Sequence, residues 1–157
     1  MSLYSIVVPV YNSEHTLEQL YERLRRVFDE ALGEPFELIL VDDSSKDASF
    51  CVMQRLREGD KRVKIIQLAR NFGQPSAVLC GFSHVKGDFV ITMDDDLQHR
   101  PEEIPKMIDV VYGLGGRDCR KEDIARVYDH LLRIAETGVV GEKYLHMGQR
   151  SSEKEVL

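Results

Sequence analysis

The sequence predicts an α/β fold, a mostly parallel sheet with helices on both faces. Three observations carry this. Four short, nearly continuous apolar runs lie within the first 93 residues. Helix-period segments separate them, and each run ends in a polar cluster. Runs that apolar belong to strands buried on both faces, as in parallel sheets.

The first strand is Ser5-Ile6-Val7-Val8-Pro9-Val10. Pro9 lacks an N–H, so regular pairing is expected to stop there. Asn12 or Ser13 is suited to cap the next helix. That helix carries Leu17, Leu20, Tyr21, Leu24, Val27, Phe28 and Ala31, and Gly33 and Pro35 stop it. Leu38-Ile39-Leu40-Val41 is the second strand. The polar turn Asp42-Asp43-Ser44-Ser45 follows, then a helix with Val52, Met53 and Leu56 running to about Gly59. Residues 63–68 form the third strand. Pro75 fits the first position of the next helix, and Gly87 a left-handed exit from it. Residues 89–93 form the fourth strand. Asp109-Val110-Val111-Tyr112 reads as a short fifth strand, with Gly113, Gly115 and Gly116 as a flexible turn. Ile124, Val127, Tyr128, Leu131, Leu132 and Ala135 make an amphipathic stripe that Gly138 ends, and the tail from Gln149 is polar. The expected organisation is one domain over residues 1–113, with 114–157 a helical segment rather than a second domain.

Composition narrows the function classes. The chain has 157 residues, 43% hydrophobic and 31% charged, with a formal net charge of -6. That balance suits a globular domain and disfavours broad attraction to nucleic acid. No apolar stretch approaches bilayer length, and no basic leader precedes the first strand. Cys51, Cys80 and Cys119 are odd in number and far apart. They read as free thiols in a reducing compartment, not as a zinc site or disulfide frame.

In such sheets ligands bind beyond the carboxyl ends of the strands. Tyr11-Asn12, Asp42-Asp43, Arg70-Asn71 and residues 94–98 all fall at that edge. Asp94, Asp95 and Asp96 are the sharpest feature. Crowded carboxylates resist ionisation unless a cation relieves them, and hard cations take oxygen ligands. In an extended segment Asp94, Asp96 and Gln98 face one ion, with Asp95 turned away. A solvated acidic turn before Pro101 is the alternative. Asp42 and Asp43 are likewise open between ligand contact and helix capping, and Arg70 between an anion contact and a surface ion pair. His15, His84 and His99 read as solvent-exposed or loop residues.

Four segments occur in order: Val8-Pro9-Val10-Tyr11-Asn12, Val41-Asp42-Asp43-Ser44-Ser45, Arg70-Asn71-Phe72-Gly73-Gln74 and Met93-Asp94-Asp95-Asp96-Leu97-Gln98. Together they resemble the nucleotide-binding half of family 2 glycosyltransferases, over residues 3 to about 108. The branch they are most similar to moves a sugar onto a polyprenyl phosphate, as in dolichyl-phosphate mannose synthase-like proteins. The resemblance implies a Rossmann-like GT-A fold and an inverting enzyme using a UDP- or GDP-linked sugar. It implies Mn2+ or Mg2+ on Asp94, Asp96 and Gln98, and nucleotide contacts from Pro9, Tyr11, Asn12, Glu14, Asp42, Asp43, Arg70, Asp94 and Asp95. The implied acceptor is a polyprenyl phosphate or a glycan, and the implied location is the cytoplasm or the cytoplasmic face of a membrane. Past Gly113 the family's acceptor loop and base-bearing segment do not align, so the C-terminal half is incomplete against the family pattern and the catalytic residues are unassigned. The last helix is suited to pairing subunits in a homo-oligomer. Two other readings stand beside this one: a non-catalytic nucleotide-binding protein on the same scaffold, and a receiver-like signalling module. The receiver reading suffers because its acidic pair normally follows the first strand, not the second.

Overall fold

The structure, a computed structural model, describes residues 1–113. Four strands form one parallel sheet: β1 (Tyr4–Val10), β2 (Phe36–Asp42), β3 (Val63–Gln67) and β4 (Phe89–Thr92), in the order β3-β2-β1-β4. The chain steps outward from β1 to β3, then returns to place β4 on the other side of β1. The β1/β4 crevice is therefore the point where strand order reverses. Helix α1 (Leu17–Arg26) runs on as a π-helical turn at Val27–Leu32; α2 is Ser49–Gly59, α3 Gln74–Phe82 and α4 Ile104–Gly113.

β1 and β2 are buried along their full lengths. Ile6, Val8 and Val10 pack on one face with Leu17, Leu20, Leu24, Phe28, Met53 and Ile104. Val7, Ile39 and Val41 pack on the other with Ala77 and Phe82 of α3. Helices thus cover both faces, as the sequence predicts. Tight contact requires a small residue in α3: a Cβ on Gly81 would lie 2.3 Å from Val7 Cγ1.

Pro9 acts on one edge only. Pairing with β2 continues through Val10↔Asp42, while pairing with β4 ends at Val7↔Thr92. The N–H groups of Tyr4 and Asp43 bond Pro35 and Val10 carbonyls, so even residues of β1 address β2. Val7 accepts from Met93 N–H, so odd residues address β4. The donor missing at Pro9 is therefore missing on the β4 side.

Three further expectations are corrected. Neither Asn12 nor Ser13 caps α1, which starts at Leu17 with Thr16 before it and no side-chain cap. Asn12 has left-handed φ 53 and accepts the Lys46 N–H instead. Gly87 is not a left-handed exit, since α3 ends at Phe82 and only Gly33 and Gly73 among the described glycines have positive φ. Its role is close approach: a Cβ there would lie 2.6 Å from Leu3 O. Residues 109–112 are not a strand but the end of α4. Ile104, Met107, Ile108 and Val111 recur at i, i+3, i+4 and i+7, and Ile104 anchors the helix in the core. Gly33 does end the first helical segment in a left-handed conformation, φ 64. The expectations for Gly115, Gly116, Cys119, the 124–135 stripe, Gly138 and the tail lie outside the described residues.

At the amino edge of the sheet, buried Glu37 accepts from Ser5 Oγ, Lys86 N–H and Lys64 Nζ. Burial pushes its carboxyl up, but these donors outweigh burial and hold it below the usual range. Asp60 is treated similarly before β3. Burial opposes its ionisation, yet Arg62 and the Tyr21 hydroxyl bring its pKa down to about 2.

Two stability measurements check this packing. Gly81→Ala is expected to lower the urea midpoint, costing roughly 1–3 kcal/mol by overpacking against Val7. Gly59→Ala, with nothing within 4 Å of the new Cβ, is expected to be neutral or stabilising by up to about 1 kcal/mol. The Asp60 contribution is present above the ordinary carboxylate value of 3.8 and lost as pH falls toward about 2. It is on the order of 2 kcal/mol. Asp60→Asn should flatten the acid limb of a stability-versus-pH curve by that amount.

Candidate nucleotide and metal site

A cleft of about 310 Å³ opens at the β1/β4 crevice. Pro9, Val10 and Tyr11 line it from β1, Asp43 from β2, Asn71, Gly73 and Gln74 from the loop before α3, and Asp94, Asp95 and Asp96 from the end of β4. Residues up to 87 positions apart, Pro9 and Asp96, meet because three parallel strands end at one edge.

The carboxylates there have different tasks. Asp43 is buried and accepts the N–H of Phe72 at 2.7 Å and of Gly73 at 2.8 Å. It thereby fixes the loop, whose Gly73 has φ 90. Asp42 is fully buried and outside the cleft lining; it accepts from Ser45 N–H and Gln67 Nε2. Asp95 turns toward the β1 loop, where its Oδ2 accepts from Tyr11 N–H and Ser13 Oγ. Burial pushes the Asp95 carboxyl above the usual range; the Ser13 and Tyr11 donors oppose that without cancelling it.

Asp94 Oδ1 accepts Gln74 Nε2 at 2.6 Å. His99 Nδ1 accepts the Asp94 N–H and stands 3.7 Å from its Oδ2. His99 lies in the loop after β4, in keeping with its expected place, with its side chain 14% exposed. Asp96 is exposed, and its Oδ1 accepts the Gln98 N–H.

The premise that residues 94–98 are extended fails. Leu97 has left-handed φ 63, which breaks the alternation that would align Gln98 with Asp94 and Asp96. Gln98 is exposed and does not line the cleft. Asn12, Glu14 and Arg70 also lie outside the lining. Asn12 and Glu14 accept the N–H groups of Lys46 and Ala48, tying the β1 loop to the start of α2. Arg70 lies over the exposed Phe72 ring, 4.7 Å from its centroid.

The donor set suits a hard cation shared with a ligand. Asp94 and Asp96 both face the cleft. Among the described residues no three His, Cys, Asp or Glu side chains converge to hold an ion by themselves. Mg2+ and similar ions are commonly held by one or two carboxylates plus substrate phosphates; of the four carboxylates lining the cleft, Asp43 and Asp95 brace neighbouring loops, which leaves Asp94 and Asp96. Ser13 and Gln74 escaped the sequence-based site list. Gln74 at least stood inside one of the four motifs, whereas nothing in the sequence paired Ser13 with a residue 82 positions away.

A parallel sheet of order β3-β2-β1-β4 with a ligand-sized cleft at the reversal defines a doubly wound α/β domain, in which ligands bind at that crevice. The chain belongs to glycosyl transferase family 2, whose model matches residues 5–115. It is 43% identical over 106 residues to the undecaprenyl-phosphate 4-deoxy-4-formamido-L-arabinose transferase of Edwardsiella ictaluri, a match covering 67% of this chain and 32% of that protein. The chain thus spans about a third of the length of the curated relatives it matches. Among solved structures it is similar to S. aureus TarS 1-349 in complex with UDP-GlcNAc, with TM-score 0.58 and 25% identity over 70% of this chain and 31% of that one. The fold also matches M. tuberculosis glucosyl-3-phosphoglycerate synthase in complex with Mn2+, UDP and phosphoglyceric acid, with TM-score 0.55 and 21% identity over 70% and 39% of the two chains. The expected GT-A fold and the polyprenyl-phosphate resemblance are borne out. The receiver-like reading is set aside by the family match.

Asp43→Ala should leave the Phe72 N–H without its acceptor, while the Gly73 N–H keeps Asn71 Oδ1. Hydrogen exchange at the Phe72 amide is expected to lose roughly 1–3 kcal/mol of protection, with a smaller loss at Gly73, while amides within β1 keep theirs.

Proposed function

We propose that this domain binds the donor in an inverting, metal-dependent transfer of a sugar from a UDP-linked donor to a polyprenyl phosphate. The observation that carries the reading is the meeting of Tyr11, Asp43 and Asp94–Asp96 in one cleft at the strand reversal. UDP is favoured over GDP by the likeness to a UDP-GlcNAc complex at 25% identity. The polyprenyl phosphate acceptor is favoured by the name of the 43%-identical relative.

In this reading Pro9 and Tyr11 flank the nucleoside, and Asp43 holds the loop that closes beside it. Asn12, Glu14 and Asp42 act behind them by fixing the loops, and Arg70 stands at the rim as an anion contact. Asp94 and Asp96 would hold Mn2+ or Mg2+, with Gln98 outside the ligand set. Such a cation neutralises the charge that develops on a departing nucleoside diphosphate. A phosphate acceptor is already ionised near neutral pH, so no strong general base is demanded of the described residues. A polyprenyl phosphate is a membrane lipid, so in this reading the domain meets its acceptor at a membrane face; no helix among the described residues is long and apolar enough to cross a membrane.

Calorimetry tests this. Mn2+ is expected to tighten UDP binding by about tenfold or more, at least 1.4 kcal/mol. Asp96→Ala should remove that metal-dependent part and leave the fold intact. Binding of neither UDP nor GDP in the presence of Mn2+ would refute the reading.

A further inference from the structure

We infer that Gln74 is a positioning residue for the cation site, acting through Asp94. The inference rests on the donor-site reading above and adds a residue to it. Gln74 opens α3, and its Nε2 donates to Asp94 Oδ1 at 2.6 Å across 20 residues of sequence. The amide must present its NH2 group, since its carbonyl would face a carboxylate that only accepts.

The contact comes from a braced position. Asp43 accepts the two N–H groups before Gln74, and Ser76 and Ala77 N–H both return to Gly73 O. A continuous hydrogen-bonded path therefore runs from the tip of β2, through the loop, to the tip of β4. Asp94 is gripped from two sides: Gln74 at Oδ1, and His99 at the backbone N–H. A carboxylate oxygen has more than one lone pair, so a donor at Oδ1 orients the group while leaving it able to bind an ion. Partners of this kind set the orientation of a metal ligand, and their loss commonly costs 10–100-fold in metal affinity. Gln74 itself is exposed, so replacing it disturbs little of the core.

The test is Mn2+ affinity in saturating UDP, read by electron paramagnetic resonance of free Mn2+. Gln74→Leu is expected to weaken Mn2+ binding about 10–100-fold, with the metal-free melting temperature unchanged. Gln74→Glu, which cannot donate, should weaken it as well. Because Gln74 works through Asp94, adding Gln74→Leu to Asp94→Ala should cause no further loss. Unchanged affinity in Gln74→Leu while Asp94→Ala weakens binding overturns this inference alone. Tighter binding in Gln74→Glu, or an additive loss in the double variant, makes Gln74 an independent ligand and overturns the positioning role. Unchanged affinity in Asp94→Ala overturns the donor-site reading and this inference with it.

Discussion

Carboxylates that accept backbone N–H groups across strand tips hold this site together. Asp43 reaches the loop before α3, Asp95 reaches the loop after β1, and Glu14 and Asp47 join that loop to the start of α2. A buried carboxylate is costly unless its oxygens are satisfied. Here backbone donors from other elements satisfy them, so the cost of burying charge and the need to fix loops are met together. Among the described residues no buried side-chain N or O atom lacks a partner.

The same logic separates look-alike acids. Asp42 and Asp43 are adjacent, but strand alternation sends them to different neighbours. One is enclosed by Ser45 and Gln67; the other borders the cleft. Asp94, Asp95 and Asp96 all border the cavity, but the middle acid also braces the β1 loop. A run of like charges is tolerable because its members face different partners, not because all of them meet one ion.

The sheet was legible because its strands are continuous apolar runs, and no other element buries such runs as economically. The edge at which ligands gather followed from the same pattern. Elements governed by distant partners were not legible. Asn12 and Ser13 have the chemistry of helix caps, but the Asn12 side-chain oxygen accepts the Lys46 N–H and the Ser13 hydroxyl donates to Asp95 instead. Val110-Val111-Tyr112 has strand-like composition, while burial of Ile104 and the spacing of its neighbours favour a helix. The turn before Gln98 was hidden because a left-handed Leu97 is invisible to an alternation argument. Gln74 needed the third dimension, since nothing local pairs it with Asp94.

Pro9 has a further consequence. On its β4 side β1 would otherwise go on zipping to the chain after Thr92, drawing Tyr11 and Asp94 into a closed ladder. An imino acid facing that side leaves the seam unfastened at its top while the opposite seam stays stitched to Val10. The mouth of the cavity is thus propped open by a hydrogen that the backbone does not possess. A side chain can swing aside, but this gap is written into the covalent structure of the chain.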